Sequence, residues 1–527
     1  MCAVALAALL ALPASPQAWA QVRLPSLGET ASSDLSVGAE RRLGDQIMRE
    51  ARRDPLYLDD PVLLEYLQSV WQPLVVAARR VGNIDADTEH SFAWEPFLVK
   101  DRSVNAFALP GGYVGMHLGL IAITHNVDQM ASVLAHELTH VTQRHIARSI
   151  APQQQASLMA IAGLLLGMIA ASRSNNADMA NAAMMGGQGA AVQSQLNFSR
   201  DMEREADRVG YGLLASAGFS PAGMAAMFDR MDQATRLNDS GGFPYLRSHP
   251  LTVDRISEAR NRTLLGSGAP LQPTLLHSVM QMRARALMDD NQQSLQRLNG
   301  NTSSTVLADR VGALYGGALA ASLLRDHDRA ERQVALALQL ATDAQPREPQ
   351  AERALHLLRS QVRLARGDAA GALQALDALP SGASHPGRPG LLLRGQAAIA
   401  LWRSDASSAT APLRASAESL QTWLAENPND GAGWELLAGT TDALGLKLRA
   451  MRAGAEARAV VGDMNGAIDR LRAAQSMSKT PAGQDFIEAS VIDTRLRQLT
   501  AQRRQLALEA RGERGGAGGP REDPPPQ

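Results

Sequence analysis

The sequence predicts an α+β, mainly helical fold in two parts, a first half with a small sheet and a second half of helical repeats. Two observations carry that expectation. Strand-like alternation punctuated by turn residues is confined to Ser91 through Val114. From about residue 275 the chain instead becomes rich in Ala, Leu and Arg, with few strand signals. Between them Gly266-Ser267-Gly268-Ala269-Pro270 and Pro273 read as a linker. At 527 residues the chain exceeds one ordinary core. With 45% hydrophobic and 20% charged residues it is globular in composition, and a formal net charge of -1 argues against a nucleic-acid or polyanion partner.

In chain order, the apolar run Cys2 to Ala20 ends in Ala18-Trp19-Ala20, the small-x-small pattern of a secretory signal cut before Gln21. No Lys or Arg precedes that run. An uncleaved anchor is the alternative, although the apolar core is short for a span. Cys2, the only cysteine, falls in the removed segment, which suits an oxidising compartment and leaves His and carboxylates to hold any metal. Residues 36 to 80 read as two wrapping helices, broken near Asp54-Pro55 and restarting at Asp60-Pro61, where proline at the first helical position is tolerated. The β segment follows: Ser91 to Val99, a turn at Asp101-Arg102-Ser103, Asn105 to Leu109, Pro110-Gly111-Gly112, then Tyr113-Val114. The stretch Asn105, Ala106, Phe107 and Ala108 is either a strand edge to which an extended peptide can add, or one arm of a plain hairpin.

His136-Glu137-Leu138-Thr139-His140 comes next, on a helix capped by Thr124 or Asn126, with Leu134, Leu138 and Val141 as one apolar flank. Histidines at i and i+4 share a helical face and can converge on one tetrahedral Zn²⁺. Glu137, about 100° round from His136, can reach an attacking water as general base. With 11 His in 527 residues, chance produces such a motif in roughly one comparable chain in a hundred. His145 lies about 180° from His136 on a continuous helix and is expected at the surface rather than on the metal. A catalytic zinc needs a third protein ligand and one open position. The best source is Ser199 to Asp207, where Glu203 and Asp207 share a face and Glu205 points about 200° from Glu203. Glu203 would bind the metal and Asp207 would support a ligating histidine; the plain alternative is a solvated face of ion pairs.

Leu158 to Ala171 is apolar on every side but short for a span, and three readings remain: a buried helix, a hairpin over the cleft, or a segment resting on a membrane or partner. In the second half, Gly367-Asp368 then Ala372, Gly445 then Ala450, and Gly462-Asp463 then Ala467 repeat one unit, a helix stop followed by a small residue. Trp434, Leu437 and Ala438 before Gly445 match the first helix of a tetratricopeptide repeat, with a nonrepetitive bundle as the alternative. Gly445 and Gly462 stand half a repeat apart, so each can end one helix of a hairpin. From Gly512 the Gly- and Pro-rich tail cannot bury a core and is expected to be disordered.

Asn105 to Gly112, His136 to His140, Asn197 to Asp207, then Ser248-His249-Pro250 with Arg255-Ile256, together resemble in that order the M48 peptidases, which are gluzincins. With the leader and the helical second half, the chain resembles the periplasmic branch of that family, by motif over residues 36 to 260 and beyond them by architecture alone. With the signal peptide at 1–20, the linker at 266–274 and the tail at 512–527 read from the residues, the resemblance implies a gluzincin-type metallopeptidase domain at 21–265 and, by architecture, an α-helical tetratricopeptide-like repeat domain at 275–511. It implies one Zn²⁺ per chain on His136, His140 and Glu203, with Glu137 as base, and a substrate strand at Asn105 to Ala108. It further implies that His249, on its residues alone a loop histidine, can take the fourth zinc position and hold the enzyme latent. The implied activity is that of a periplasmic zinc metalloendopeptidase (EC 3.4.24 type) acting on misassembled outer-membrane proteins, its repeat half docking to the outer-membrane assembly machinery. The alternative is a chaperone or assembly adaptor with a mostly latent metal site. Prenyl-protein processing is not supported, because membrane-embedded relatives carry several long apolar helices that this chain lacks.

Overall fold

A computed structural model describes residues 35–149, 199–237, 243–265, 271–298, 300, 303–380, 387–479 and 485–515. The leader at 1–20, the apolar stretch at 158–171 and most of the 266–274 linker lie outside them. The two expected N-terminal helices are α1 (Val37–Ala51) and α2 (Pro61–Arg80). Ser36 and Asp60 accept hydrogen bonds from the amides of Ala39 and Leu63, and Pro61 takes the first helical position, where its missing N–H costs nothing.

Four short strands form one sheet: β1 (Tyr57–Leu58), β2 (Glu95–Val99), β3 (Ala106–Leu109) and β4 (Tyr113–His117). Their order is β1-β2-β4-β3, with β2 and β4 parallel and the outer pairs antiparallel, so β3 is an edge strand. The tight β3–β4 turn needs glycine. Gly111 and Gly112 sit at φ +76° and +90°, and a Cβ on Gly111 would lie 2.9 Å from the Cα of Arg41. The first long strand starts at Glu95 rather than Ser91, because Asp85 caps a helix, α3 (Ala86–Ser91), by accepting from the amide of Thr88.

Beyond the sheet come α4 (Leu118–Ile123), α5 (Val127–Thr142) and α6 (His145–Ser149). Asn126 caps α5 by accepting from the amide of Gln129, whereas the Thr124 hydroxyl donates to the carbonyl of Ile121. The expected one-sided apolar flank is a correction: every residue of α5 from Gln129 to Val141 is buried. The cause is that α2, β3 and β4 pack on it together with α7 (Arg200–Ala217) and α8 (Ala222–Leu237), leaving no solvated face. Two shorter helices, α9 (Tyr245–Ser248) and α10 (Val253–Leu265), complete this half.

The second half is helical throughout its described residues: α11 (Leu275–Met288), α12 (Gln292–Arg297), α13 (Leu307–Leu323), α14 (His327–Thr342), α15 (Pro349–Arg366), α16 (Ala369–Asp377), α17 (Gly387–Ser404), α18 (Ala406–Glu426), α19 (Gly431–Ala443), α20 (Lys447–Val460), α21 (Met464–Ser478) and α22 (Phe486–Gly515). Gly367, Gly445 and Gly462 take left-handed φ of +89°, +76° and +79° between successive helices. Asp368 and Asp463 then cap the next helix, and Ala372, Ala450 and Ala467 are buried where it meets its neighbour. The tail expectation needs adjusting at its start. Helix α22 runs on to Gly515, since a glycine inside a formed helix costs only about 1 kcal/mol and Gly512 does not stop it. Among the described residues no helix is long and apolar enough to cross a membrane.

One continuous core joins the halves, taking in residues of α2, α5, α11, α13 and α15. Polar contacts inside it are paired: Arg283 donates to both oxygens of Asp60 at 2.7 and 2.6 Å and to the Tyr315 hydroxyl at 2.8 Å. His277 Nδ1 lies 2.7 Å from the Tyr66 hydroxyl, and its Nε2 lies 3.2 Å from the carbonyl of Thr124. Burial pushes His277 down to about 4 despite that carbonyl. The unfolded chain therefore binds a proton that the folded one refuses. Stability should be full above about pH 6.5 and fall as pH drops toward 4, by up to about 1.4 kcal/mol per unit. Denaturation midpoints across that range should show the slope in wild type and a flatter line in His277→Gln.

Candidate metal centre

Helix α5 presents His136 and His140 one turn apart, and α7 crosses it closely enough for Glu203 to face both. Gly210 permits the approach: a Cβ there would lie 3.2 Å from the Ala135 carbonyl and 3.3 Å from the His136 amide nitrogen. His136 Nε2 and His140 Nε2 are 3.0 Å apart. Glu203 places Oε2 3.5 Å from the first and Oε1 3.4 Å from the second. His249 adds Nδ1 at 2.8 Å from Glu203 Oε1 and 3.3 Å from His136 Nε2. One donor atom from each of these four buried residues falls within 4.8 Å of all the others.

That donor set fits a divalent cation. Imidazole nitrogens 3.0 Å apart cannot turn lone pairs on each other without a proton or a cation between them. Three imidazoles and a carboxylate about one buried point form a nitrogen- and oxygen-rich set of the kind that holds zinc. Glu137 stands beside the group without joining it. Its carboxylate is buried with neither oxygen hydrogen-bonded, and Oε1 lies 3.6 Å from His249 Nε2. A buried acceptor without a hydrogen bond costs stability, which makes Glu137 a candidate for chemistry.

Residues 65–263 match the family described as Peptidase family M48. Over 488 residues the chain is 30% identical to the beta-barrel assembly-enhancing protease of Escherichia coli (strain K12), covering 90% of this chain and 91% of that protein. The chain belongs to peptidase family M48. It is also 29% identical to the beta-barrel assembly-enhancing protease of Yersinia pestis, over 91% of this chain and 92% of that one. The mitochondrial metalloendopeptidase OMA1 of Saccharomyces cerevisiae is 27% identical over 40% of this chain and 58% of its own. As a member of M48 the chain is a metalloprotease, and its M48 segment contains every residue of the converging group.

Around the M48 group lies a layer that the sequence only partly revealed. Asp207 Oδ1 is 3.0 Å from His136 Nδ1, as expected of a support for that ring. Arg255, which carried no role in the sequence reading, donates to both Asp207 oxygens at 2.7 and 2.9 Å and to the Pro250 carbonyl at 2.9 Å. It also pairs with Glu203 Oε2 at 2.9 Å. Burial alone would raise Asp207, but Arg255 and His136 hold it down at about 2. Glu203 likewise lies well below the usual carboxylate range, because His249 and His136 outweigh its burial. Burial pulls His249 down, yet the facing Glu203 and Glu137 carboxylates raise it overall.

His249 follows the last turn of α9, its amide donating to the carbonyl of Tyr245 at 2.8 Å, and Pro250 lets the helix go no further. Tyr245 stacks on the His249 ring at 4.7 Å, and its amide reaches the carbonyl of Val104 just before β3. The sequence reading missed Tyr245, one turn before Ser248-His249-Pro250. His145 requires a correction. Expected at the surface, it is buried against His140, because α5 ends at Thr142 and Arg144 takes φ +50°, so counting 100° per residue fails beyond the break. Burial pushes His145 down to about 4 against the pull of Glu205. Glu205 stays out of the converging group and pairs with His145 and Arg148 on the far side of α7.

Glu203→Gln should lose bound metal. Glu205→Gln should keep it nearly normally, since an amide oxygen still accepts from His145. Asp207→Asn should fall between them, with roughly 10- to 100-fold weaker retention. Metal content after dialysis of the three variants checks the ranking; equal loss at Glu203 and Glu205 contradicts it.

Proposed function

We propose that this chain is a zinc-dependent endopeptidase of the periplasm that cleaves misassembled outer-membrane proteins and assists their assembly. The observation that carries the proposal is the convergence of His136, His140, Glu203 and His249 beside the unengaged carboxylate of Glu137. His136, His140 and Glu203 would hold the cation. When bound, it supplies Lewis acidity, polarising a peptide carbonyl and acidifying the attacking water. Glu137 accepts the proton of that water and hands it to the leaving nitrogen, and neither of its oxygens is committed to a hydrogen bond. Asp207 and Arg255 keep the His136 ring in place. Edge strand β3, with Asn105 leading into it and Ala106, Phe107 and Ala108 along it, would pair with an extended substrate through its main chain.

Main-chain pairing asks for an extended segment rather than a particular sequence, which suits unfolded β-barrel strands. The names of the curated relatives support that substrate class. Export rests on the leader-like residues 1–20, and the helical half would dock to the assembly machinery. A chaperone or adaptor with a mostly latent site is the second reading, favoured by one observation: His249 Nδ1 sits among the other donors.

Incubating the purified chain, with its zinc measured, with an unfolded outer-membrane β-barrel separates the readings. Glu137→Gln should keep its metal and lose roughly 10²- to 10⁴-fold in turnover. Assembly support that survives in this variant favours the adaptor. His249→Ala should hold zinc on three protein ligands and cleave faster than wild type. A slower enzyme with full zinc, down by roughly 10² to 10³, would instead make His249 a transition-state stabiliser.

A further inference from the structure

His136 and His140 are held from behind by unlike partners. Nδ1 of His136 faces a carboxylate, Asp207, at 3.0 Å. Nδ1 of His140 faces a second imidazole, with His145 Nδ1 2.9 Å away. His145 turns its other nitrogen, Nε2, to Glu205 Oε2 at 3.1 Å, and that oxygen also accepts from Arg148 Nη1 at 3.1 Å. The row runs carboxylate, imidazole, imidazole, then the nitrogen that faces the converging group.

We propose that His145 is a positioning residue of the metal site, a neutral acceptor that fixes the ring and tautomer of His140, with Glu205 as its outer anchor. This rests on the metal-site reading of the preceding subsection. For His140 to present a lone pair at Nε2, its proton must sit on Nδ1, and a buried donor there needs an acceptor. His145 Nδ1 is that acceptor when the proton of His145 is on Nε2, where it donates to Glu205. The opposite tautomer of His145 would aim a proton at His140 Nδ1. His140 would then carry its own proton on Nε2, pointed at His136 Nε2 3.0 Å away, and one ligand would be lost. The carboxylate of Glu205 thus selects the tautomer two rings away, as partners behind a metal ligand generally do.

A second observation supports the assignment independently. The residue before His145, Arg144, holds the left-handed φ of +50°, a region a long side chain seldom takes. Its guanidinium donates to Glu40 at 2.9 Å and to the carbonyl of Leu35, tying the bend to α1. The bend is what turns His145 back onto His140.

The test uses the full chain loaded with zinc and follows zinc transfer to a competing chelator. His145→Asn keeps a carbonyl oxygen near the place of Nδ1, whereas His145→Leu fills the space without an acceptor. His145→Leu should hold zinc roughly 10- to 100-fold more weakly, and His145→Asn should stay within about threefold of wild type. Nitrogen-15 spectra of wild type should show His145 protonated on Nε2 and bare at Nδ1. Wild-type retention in His145→Leu, equal weakness of Asn and Leu, or a proton on His145 Nδ1 overturns the assignment. If His145→Leu fails to fold, the wild-type spectrum and the Asn variant still decide. A wild-type chain that takes up no zinc sinks the metal-site reading itself, a failure read without any variant.

Discussion

Arg255 is the interaction on which the site depends. Its buried guanidinium grips both oxygens of Asp207, pairs with Glu203 and donates to the carbonyl of Pro250. One cation thereby joins α7 to α10 and to the segment carrying His249. A buried charge is tolerated only when its partners are fully engaged, so each contact constrains the others. Removing Arg255 would leave the buried carboxylates of Asp207 and Glu203 without that partner. The arginine is also well above its ordinary value, held there by Asp207 and Glu203 against its burial.

From that clamp the two arms behind His136 and His140 diverge. Each ends in a carboxylate held by an arginine, Asp207 by Arg255 and Glu205 by Arg148. Only the second arm places another imidazole between the carboxylate and the histidine. An anion directly on His136 makes that imidazole the more electron-rich partner, whereas His140 feels its anion at one remove. Both rings nevertheless need their outer nitrogen satisfied, because a buried polar group left unpaired is costly and α5 is buried around both histidines.

The helical half reaches this site without contributing to it. Arg283 and His277 on α11 fasten to Asp60, the cap of α2, to Tyr66 within it and to the Thr124 carbonyl between α4 and α5. Asp60 does two jobs, capping α2 and accepting from Arg283. The second half thus holds α4 and the Thr124 carbonyl ahead of α5, while the body of α5 is held by α2, the sheet, α7 and α8.

Features set by neighbouring residues were legible in the chain. The 3.6-residue turn alone puts His136 and His140 on one face and parts Glu203 from Glu205. Local chemistry likewise marked the Asp60-Pro61 start, the turn at Gly111-Gly112, and the Gly367 and Gly462 stops, whereas the aspartate caps that follow those stops emerged only with the structure. Family motifs added His249 as a fourth donor, but its seat against Glu203, under the Tyr245 ring, needs contacts that run 46 residues back along the chain and a cleft to close them. Arg255, Tyr245 and His145 stayed hidden for a similar reason. A helical count holds only while the helix does, and the bend at Arg144 is sustained by Glu40, 104 residues away. Spacing along the backbone is local and periodic, whereas the burial of α5 on every side and the row from His140 through His145 to Glu205 exist only once distant segments pack together.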